Sequence, residues 1–76
     1  SVDMVVKQMK AENDFLKHNM NAIIHNAILI CLKVNKLSLE QLSQITGVSR
    51  KELEIFVEKM LRENKIKKEN ELYTLA

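Results

Sequence analysis

The sequence contains no proline and a single glycine, Gly47, among its 76 residues. Because these two residue types interrupt helices and build tight turns, their scarcity predicts long helices and few loops. No apolar run approaches the roughly 20 residues that a membrane-spanning helix needs, and the N-terminus lacks the basic-then-apolar order of a signal peptide. We therefore expect an intracellular protein, in the nucleus, the cytoplasm or both, without a membrane partner.

Residues that could carry catalysis or bind a metal are also scarce. Cys31 is the only cysteine, so no internal disulfide can form, and its apolar neighbours predict a packed thiol in a reducing compartment. The spacings of His18, His25 and Cys31 do not bring these side chains to one side of a helix as metal ligands or as a nucleophile pair. Paired carboxylates and a glycine-rich phosphate loop are missing as well. We expect no enzyme activity, no metal and no cofactor.

Length, composition and charge limit the number of domains and the class of partner that the chain can have. A chain of 76 residues forms at most one domain and buries only about 60% of the surface that it exposes when unfolded. Its 46% apolar and 29% charged residues are typical of a globular protein. A net charge of +2 is too small to demand nucleic acid as a partner, and the ten lysines and two arginines offer few bidentate groups for reading guanine.

Residues 37–61 predict a helix-turn-helix, which is two helices joined by a three-residue turn. Ser38 is a favourable N-cap, with Gln41 three positions later to complete a capping box, and Ser49 starts a second box of the same kind. Gly47 stands where the first helix should end, because glycine accepts the left-handed conformation at little cost. The turn is the best-specified point of the sequence.

Apolar residues at helical spacing mark the buried faces of this motif. They are Leu39, Leu42 and Ile45 in the first helix and Leu53, Phe56, Val57, Met60 and Leu61 in the second, with Val48 filling the corner. The exposed side of the second helix is then free for a partner. The candidate docking residues there are Arg50, Lys51, Ile55, Glu58 and Arg62.

Two helices are predicted before the motif. Residues 1–19 form an N-terminal helical segment, in which residues 1–3 are compatible with a cloning remnant, and residues 20–76 form the domain. The polar group Lys17, His18 and Asn19 predicts a break, after which a central helix runs to Lys33 and is apolar almost all round. An alternative is a coiled-coil dimer, because apolar residues with three-and-four spacing run from Val2 to Val34 with Asn13 as the one polar member.

After the motif, the period changes from that of a helix to that of a strand. Ile66, a polar turn around Asn70 and the segment 72–75 predict a β-hairpin of uncertain register. The order of helix, helix-turn-helix and hairpin is that of a winged helix. We therefore predict a mainly α fold of the α+β type, a winged helix-turn-helix with three to four helices and a short C-terminal hairpin.

Winged helices bind either DNA or proteins. In a DNA-binding transcription regulator, Arg50, Lys51 and Ile55 would face the bases, and the wing lysines Lys65, Lys67 and Lys68 would touch phosphates. Four basic and four acidic residues within 50–63 argue against this alternative, since the acidic groups would be repelled by phosphate. Pairs of opposite charge four residues apart are more typical of a solvated helix face.

The C-terminal part of the sequence resembles the winged-helix domain that ends cullins, the scaffold subunits of multisubunit RING ubiquitin ligases. Residues 27–33, AILICLK, are similar to the cullin helix that ends in a lysine modified by a ubiquitin-like protein. Residues 37–42, LSLEQL, with EL at 52–53 and VEKMLREN at 57–64, look most like the cullin-like subunit of the anaphase-promoting complex. The final LYTLA resembles the strand that closes many cullins.

This resemblance implies a non-catalytic domain that helps to position a ubiquitin-conjugating enzyme beside a RING subunit, in a complex that acts in cell division. It also implies Lys33 as a site of modification. Ile30 replaces the basic residue that cullins usually carry in this helix, and neddylation is not expected for the anaphase-promoting subunit. A solvated lysine at a helix end is therefore the alternative interpretation of Lys33.

Overall fold

The computed structural model describes residues 2–76. Within this range the chain is mainly helical, with three helices and a small antiparallel sheet of three strands. The elements in chain order are α1 Val2–Val34, β1 Leu37–Ser38, α2 Leu39–Thr46, α3 Arg50–Arg62, β2 Ile66–Glu69 and β3 Leu72–Leu75.

Helix α1 is a single uninterrupted helix of 33 residues. The break predicted at Lys17, His18 and Asn19 is therefore wrong. These residue types lower helix stability by only a fraction of a kcal/mol each, about 0.7 at most, whereas a proline would cost about 3 kcal/mol. Every residue from 2 to 23 is exposed, and burial begins at Ile24. The predicted boundary at residue 20, between the N-terminal helical segment and the domain, stays a prediction.

The central part of α1 is apolar on all sides but is buried on only one. Ile28 and Leu32 are fully or almost fully buried, whereas Ile23 and Ile30 remain 66% and 62% exposed. The apolar character that the sequence shows almost all round this part of α1 therefore does not correspond to burial on every side. The rest of this small chain is large enough to cover one face of α1 and leaves the other to solvent.

The two helices of the motif start and stop at the predicted residues. Ser38 caps α2 in a complete capping box, and Gly47 ends it at φ 74°, in the left-handed conformation. Ser49 caps α3 by accepting a hydrogen bond from the Glu52 amide at 3.2 Å. The reciprocal half of this second box is not formed, so only the first box is complete.

Two hydroxyl groups fix the turn between α2 and α3, which the sequence did not reveal. The Thr46 hydroxyl donates to the Leu42 carbonyl at 2.7 Å and accepts from the Val48 amide at 3.2 Å. The Ser43 hydroxyl donates to the Val48 carbonyl at 2.6 Å. Both polar groups of the Val48 backbone are therefore satisfied while its side chain packs against the core, as predicted.

Strands β2 and β3 form the predicted hairpin, and the structure fixes its register. Ile66 pairs with Leu75 and Lys68 with Tyr73, around a turn in which Asn70 has a φ of 57°. Strand β1 was not predicted, because two residues are too few to show a strand period. It pairs with β3 through Leu37 and Tyr73, so that the sheet order is β1-β3-β2.

The core lies between the end of α1, the two motif helices and the sheet. Its nine buried residues are Ile28, Leu32, Leu37, Leu42, Leu53, Val57, Met60, Ile66 and Tyr73. Seven of the eight residues predicted for the motif faces lie in this cluster or pack against it. The exception is Ile45, which is 60% exposed because it lies at the edge of the α2 face whose other members in this turn, Ser43 and Thr46, are half-buried.

Candidate docking surface

The predicted docking residues lie on the solvent side of α3, and all five are exposed. Lys51, Ile55, Glu58 and Arg62 follow one another at intervals of three and four and share a face opposite the buried side. Arg50 is the first residue of the helix and is turned by about 100° from Lys51. It lies beside this face rather than on it.

Ile55 is the apolar centre of this surface. Its side chain is 68% exposed, although a buried isoleucine would contribute roughly 1.5–3 kcal/mol to stability. The charges around it are balanced, with Lys51 and Arg62 against Glu54 and Glu58. An apolar side chain inside a polar, neutral ring is the composition of a small protein interface.

The charged residues of α3 are not bound to one another. Among residues 2–76 the ion pairs within 4 Å are Lys36 with Glu69 at 2.9 Å and Lys65 with Glu63 at 3.9 Å. The expected pairs Glu58 to Arg62 and Lys59 to Glu63 are therefore not formed. The Glu58 and Arg62 side chains remain available to a partner.

A groove runs beside Ile55, between the middle of α1 and α3, and has a volume of about 750 Å³. Its apolar floor and wall include Met20 and Ile24 of α1 and Phe56 and Met60 of α3. The polar residues at the groove are Lys17, His18, Asn21, His25, Glu52 and Lys59. A docking side chain that reached Ile55 could therefore also enter this groove.

Sequence reasoning missed the groove because its two walls are far apart in the chain. The only local signal is that Met20 and Ile24 are four residues apart, which places them on the same side of one helix. Of the two histidines at the groove, His18 is exposed and His25 is half-buried.

The three wing lysines do not form one surface. Lys65 precedes the hairpin, and its Nζ lies 3.3 Å from Nε2 of His25 on α1. Lys67 and Lys68 are neighbours on β2, so their side chains project to opposite faces of the sheet. Lys68 lies over the Tyr73 ring, with Nζ 5.5 Å from its centre.

The hairpin carries one perturbed carboxyl group. The hydrogen bond from Lys36, together with the charge of that lysine, holds the pKa of Glu69 below its ordinary value of 4.5, and Lys67 adds a weaker effect in the same direction. The bond joins the end of β2 to the linker before β1. It ties the wing to the body of the protein.

Lys33 is exposed in the last turn of α1, where a positive charge is favoured by the helix dipole. Cys31 is a half-buried free thiol next to the core. Within residues 2–76, His, Cys, Asp and Glu side chains form no group of three or more that could hold a metal ion. In the same range, none of the helices combines the length and apolarity that crossing a membrane requires.

The surface around Ile55 combines one exposed isoleucine, an apolar groove beside it and balanced charges at its rim. The chain matches no protein-family model, no curated protein and no solved structure at a significant level.

Proposed function

We propose that this chain forms a winged helix-turn-helix and acts as a non-catalytic docking domain at the C-terminus of a cullin-like scaffold. The scaffold would belong to a multisubunit RING ubiquitin ligase of the anaphase-promoting type, in the nucleus or cytoplasm. The domain would contact the RING subunit or the ubiquitin-conjugating enzyme and position that enzyme. Support comes from the resemblance of residues 27–76 to the cullin domain.

The order of the elements supports the winged-helix part of the proposal. The end of α1 leads into α2, a tight turn and α3, and the hairpin of β2 and β3 follows directly. The second helix of the motif presents its outer face to solvent, and the hairpin forms the wing at its end. In DNA-binding helix-turn-helix proteins, the corresponding face of the second helix contacts the partner.

The exposure of Ile55 is the observation that carries the docking function. Ile55 is 68% exposed at the centre of the solvent-facing side of α3 and lies outside the buried core of the chain. Bound by a partner, it would be the kind of central apolar anchor that dominates protein interfaces. The unpaired Glu58 and Arg62 would form the polar rim.

DNA binding is the alternative function, and the charges favour protein over DNA. A DNA-binding wing needs several lysines directed at the same backbone, but Lys67 and Lys68 project to opposite faces of the sheet. Lys65 is engaged with His25 and Glu63. Glu54 and Glu58 on α3 would meet phosphate repulsion in a groove. Together these features leave few groups that could neutralise phosphates.

Binding to candidate ligase components tests the proposal. The purified chain is titrated by calorimetry with a RING subunit, with a ubiquitin-conjugating enzyme and with the pair. We expect a measurable complex that Ile55→Glu weakens by about tenfold or more, as for a central interface residue. Ile45→Glu is the matched control, because Ile45 is a similarly exposed isoleucine, 60% against 68%, on another helix.

Duplex DNA is titrated in parallel across a salt series. Tight binding whose Kd rises steeply with salt would mean that phosphates are neutralised, and the ligase proposal would then be wrong. A ligase complex that Ile55→Glu and Ile45→Glu weaken equally would retain the partner but refute the assigned face.

A further inference from the structure

One side of α1 carries a regular apolar stripe that is exposed along most of its length. Its spacing alternates between four and three residues along the whole helix, which is the pattern of positions a and d in coiled coils. Position d falls on Val2, Met9, Leu16, Ile23 and Ile30, and position a on Val6, Asn13, Met20, Ala27 and Val34. We call these ten residues the α1 seam. Its eight larger apolar side chains are 58–85% exposed.

Most of the α1 seam faces away from the core of the chain; Ala27 is half-buried, and Met20 lies at the groove between α1 and α3. Ile28 and Leu32 hold α1 to the core, whereas the seam residue Ile30 is turned from Ile28 by about 200° around the helix axis. A second helix can therefore lie along the seam without displacing any core residue. The body of the chain would remain on the outside of such a pair.

We propose that the α1 seam is the interface of a homodimer, in which α1 of a second copy packs parallel to it as a two-stranded coiled coil. The α1 helix has 33 residues, so the repeat continues for more than four heptads. A seam of this kind fits a helix with the same repeat, and α1 itself is such a helix. The inference does not depend on the proposed function.

Asn13 supports a parallel pairing in register. It is the one polar residue of the seam and occupies an interior a position, where asparagine fixes the register and favours two strands. In a parallel dimer it meets Asn13 of the second copy, and the two amides can donate and accept hydrogen bonds. In an antiparallel dimer, position a faces position d, so this amide would face an apolar residue.

The charges beside the seam favour the same orientation. Glu12 occupies position g and Lys17 the following position e, so a parallel dimer brings each Glu12 against Lys17 of the other copy. An antiparallel dimer places e positions against each other and, when centred on the middle of α1, would bring the two Lys17 side chains together. Attraction in one arrangement and repulsion in the other select the parallel dimer.

The shape of the chain agrees with this role. Its radius of gyration is 15.7 Å and its longest dimension is 55 Å, whereas a compact domain of this length has a radius of gyration of about 11 Å. The difference comes from the exposed first two thirds of α1. Most helices in proteins owe their stability to packing, and a second copy would provide it here.

Sedimentation equilibrium of the intact chain tests the dimer. We expect a dimer, and we expect Leu16→Glu to raise its dissociation constant by more than about a hundredfold, because each copy loses an apolar contact and gains a buried carboxylate. Phe15→Glu is the matched control. Phe15 is adjacent and similarly exposed, 66% against 58%, but it occupies position c outside the seam and should leave the dimer intact.

Charge exchange tests the contacts beside the seam. Glu12→Lys alone should weaken the dimer by roughly tenfold, since it replaces attraction by repulsion at two symmetric places, and adding Lys17→Glu should restore the affinity. Lys10→Glu is the control, because in a parallel dimer Lys10 faces Val5 of the second copy, which carries no charge. Circular dichroism of each variant shows whether α1 remains helical.

Cross-linking tests the orientation. With Cys31→Ser to remove the native thiol, Met9→Cys should form an intermolecular disulfide quickly in a parallel dimer, since the two sulfurs then share a layer. An antiparallel pair centred on the middle of α1 would separate them by about 25 Å, far beyond the roughly 7 Å that a disulfide spans between Cα atoms. The proposal would be overturned if the chain were monomeric. It would also be overturned if Leu16→Glu and Phe15→Glu weakened the dimer equally, or if this disulfide did not form.

Discussion

Ser38 and Gln41 each bind the other's backbone at the start of α2. The Ser38 hydroxyl accepts a hydrogen bond from the Gln41 amide at 3.2 Å, and the Gln41 side-chain oxygen accepts from the Ser38 amide at 2.9 Å. Ser38 also belongs to β1 and pairs with Leu72. One residue therefore ends a strand, begins a helix and fixes the angle between them.

Replacing Ser38 by alanine should lower the free energy of unfolding by about 1 kcal/mol, within the 0.5–2 kcal/mol range of N-cap replacements. Ser49→Ala should cost a similar amount, because each replacement removes one hydroxyl oxygen that accepts a backbone amide at 3.2 Å. Urea denaturation at a fixed protein concentration measures both. Gln41→Ala removes the reciprocal bond to the Ser38 amide, and an unchanged free energy of unfolding in that variant would mean that this bond contributes nothing.

Gly47→Ala should destabilise the chain by about 1–2 kcal/mol, the cost of a left-handed conformation for a residue with a Cβ. A Cβ at this position would have no heavy atom within 4 Å beyond the adjacent residues, so the cost comes from the local backbone conformation and not from packing. Gly47→Asn should therefore be milder, because asparagine tolerates positive φ. If the larger asparagine were the more destabilising of the two, crowding would be the better explanation.

The sequence predicted the caps, the turn and the hairpin because each is encoded within a few neighbouring residues. It did not predict β1, whose two residues become a strand only when β3 lies beside them. The groove beside Ile55 was missed for the same reason, since Met20 and Phe56 approach each other only in the folded chain. Helical spacing was enough to predict which residues of α3 are exposed. The burial of α1 could not be predicted in this way, because it depends on how much of the remaining chain is available to cover that helix.

Lys36 controls the ionisation of Glu69. Because the folded pKa is lowered, the bond stabilises the fold above the ordinary glutamate pKa of 4.5, and that contribution is lost as the pH falls through the folded pKa. Lys36→Gln should raise the pKa of Glu69 towards its ordinary value. Lys67→Gln should raise it less, because its charge acts without a hydrogen bond.

A carbon-detected NMR titration of the Glu69 carboxyl group measures these shifts directly. Added salt should move the pKa of Glu69 upwards in the unmodified chain, because the pair is exposed and therefore screened. An equal response to Lys36→Gln and Lys67→Gln would show that the field around the wing, rather than the 2.9 Å bond, determines the shift.

Truncation to alanine should lower the free energy of unfolding by very different amounts at two apolar residues of α2. Leu42 is completely buried and Ile45 is 60% exposed, although helical spacing predicted that both face the core. Leu42→Ala should cost about 2–5 kcal/mol, because it removes buried methyl groups and leaves a cavity. Ile45→Ala should change the free energy of unfolding by no more than about 0.5 kcal/mol.

Chemical denaturation measures this difference, and Leu42→Met keeps the test usable if the alanine variant does not fold, since a volume-conserving replacement costs less than about 1.5 kcal/mol. A loss from Ile45→Ala as large as that from Leu42→Ala would place Ile45 in the core. The last turn of α2 would then have to rotate towards α1, and Ile45 would no longer serve as the exposed control for Ile55.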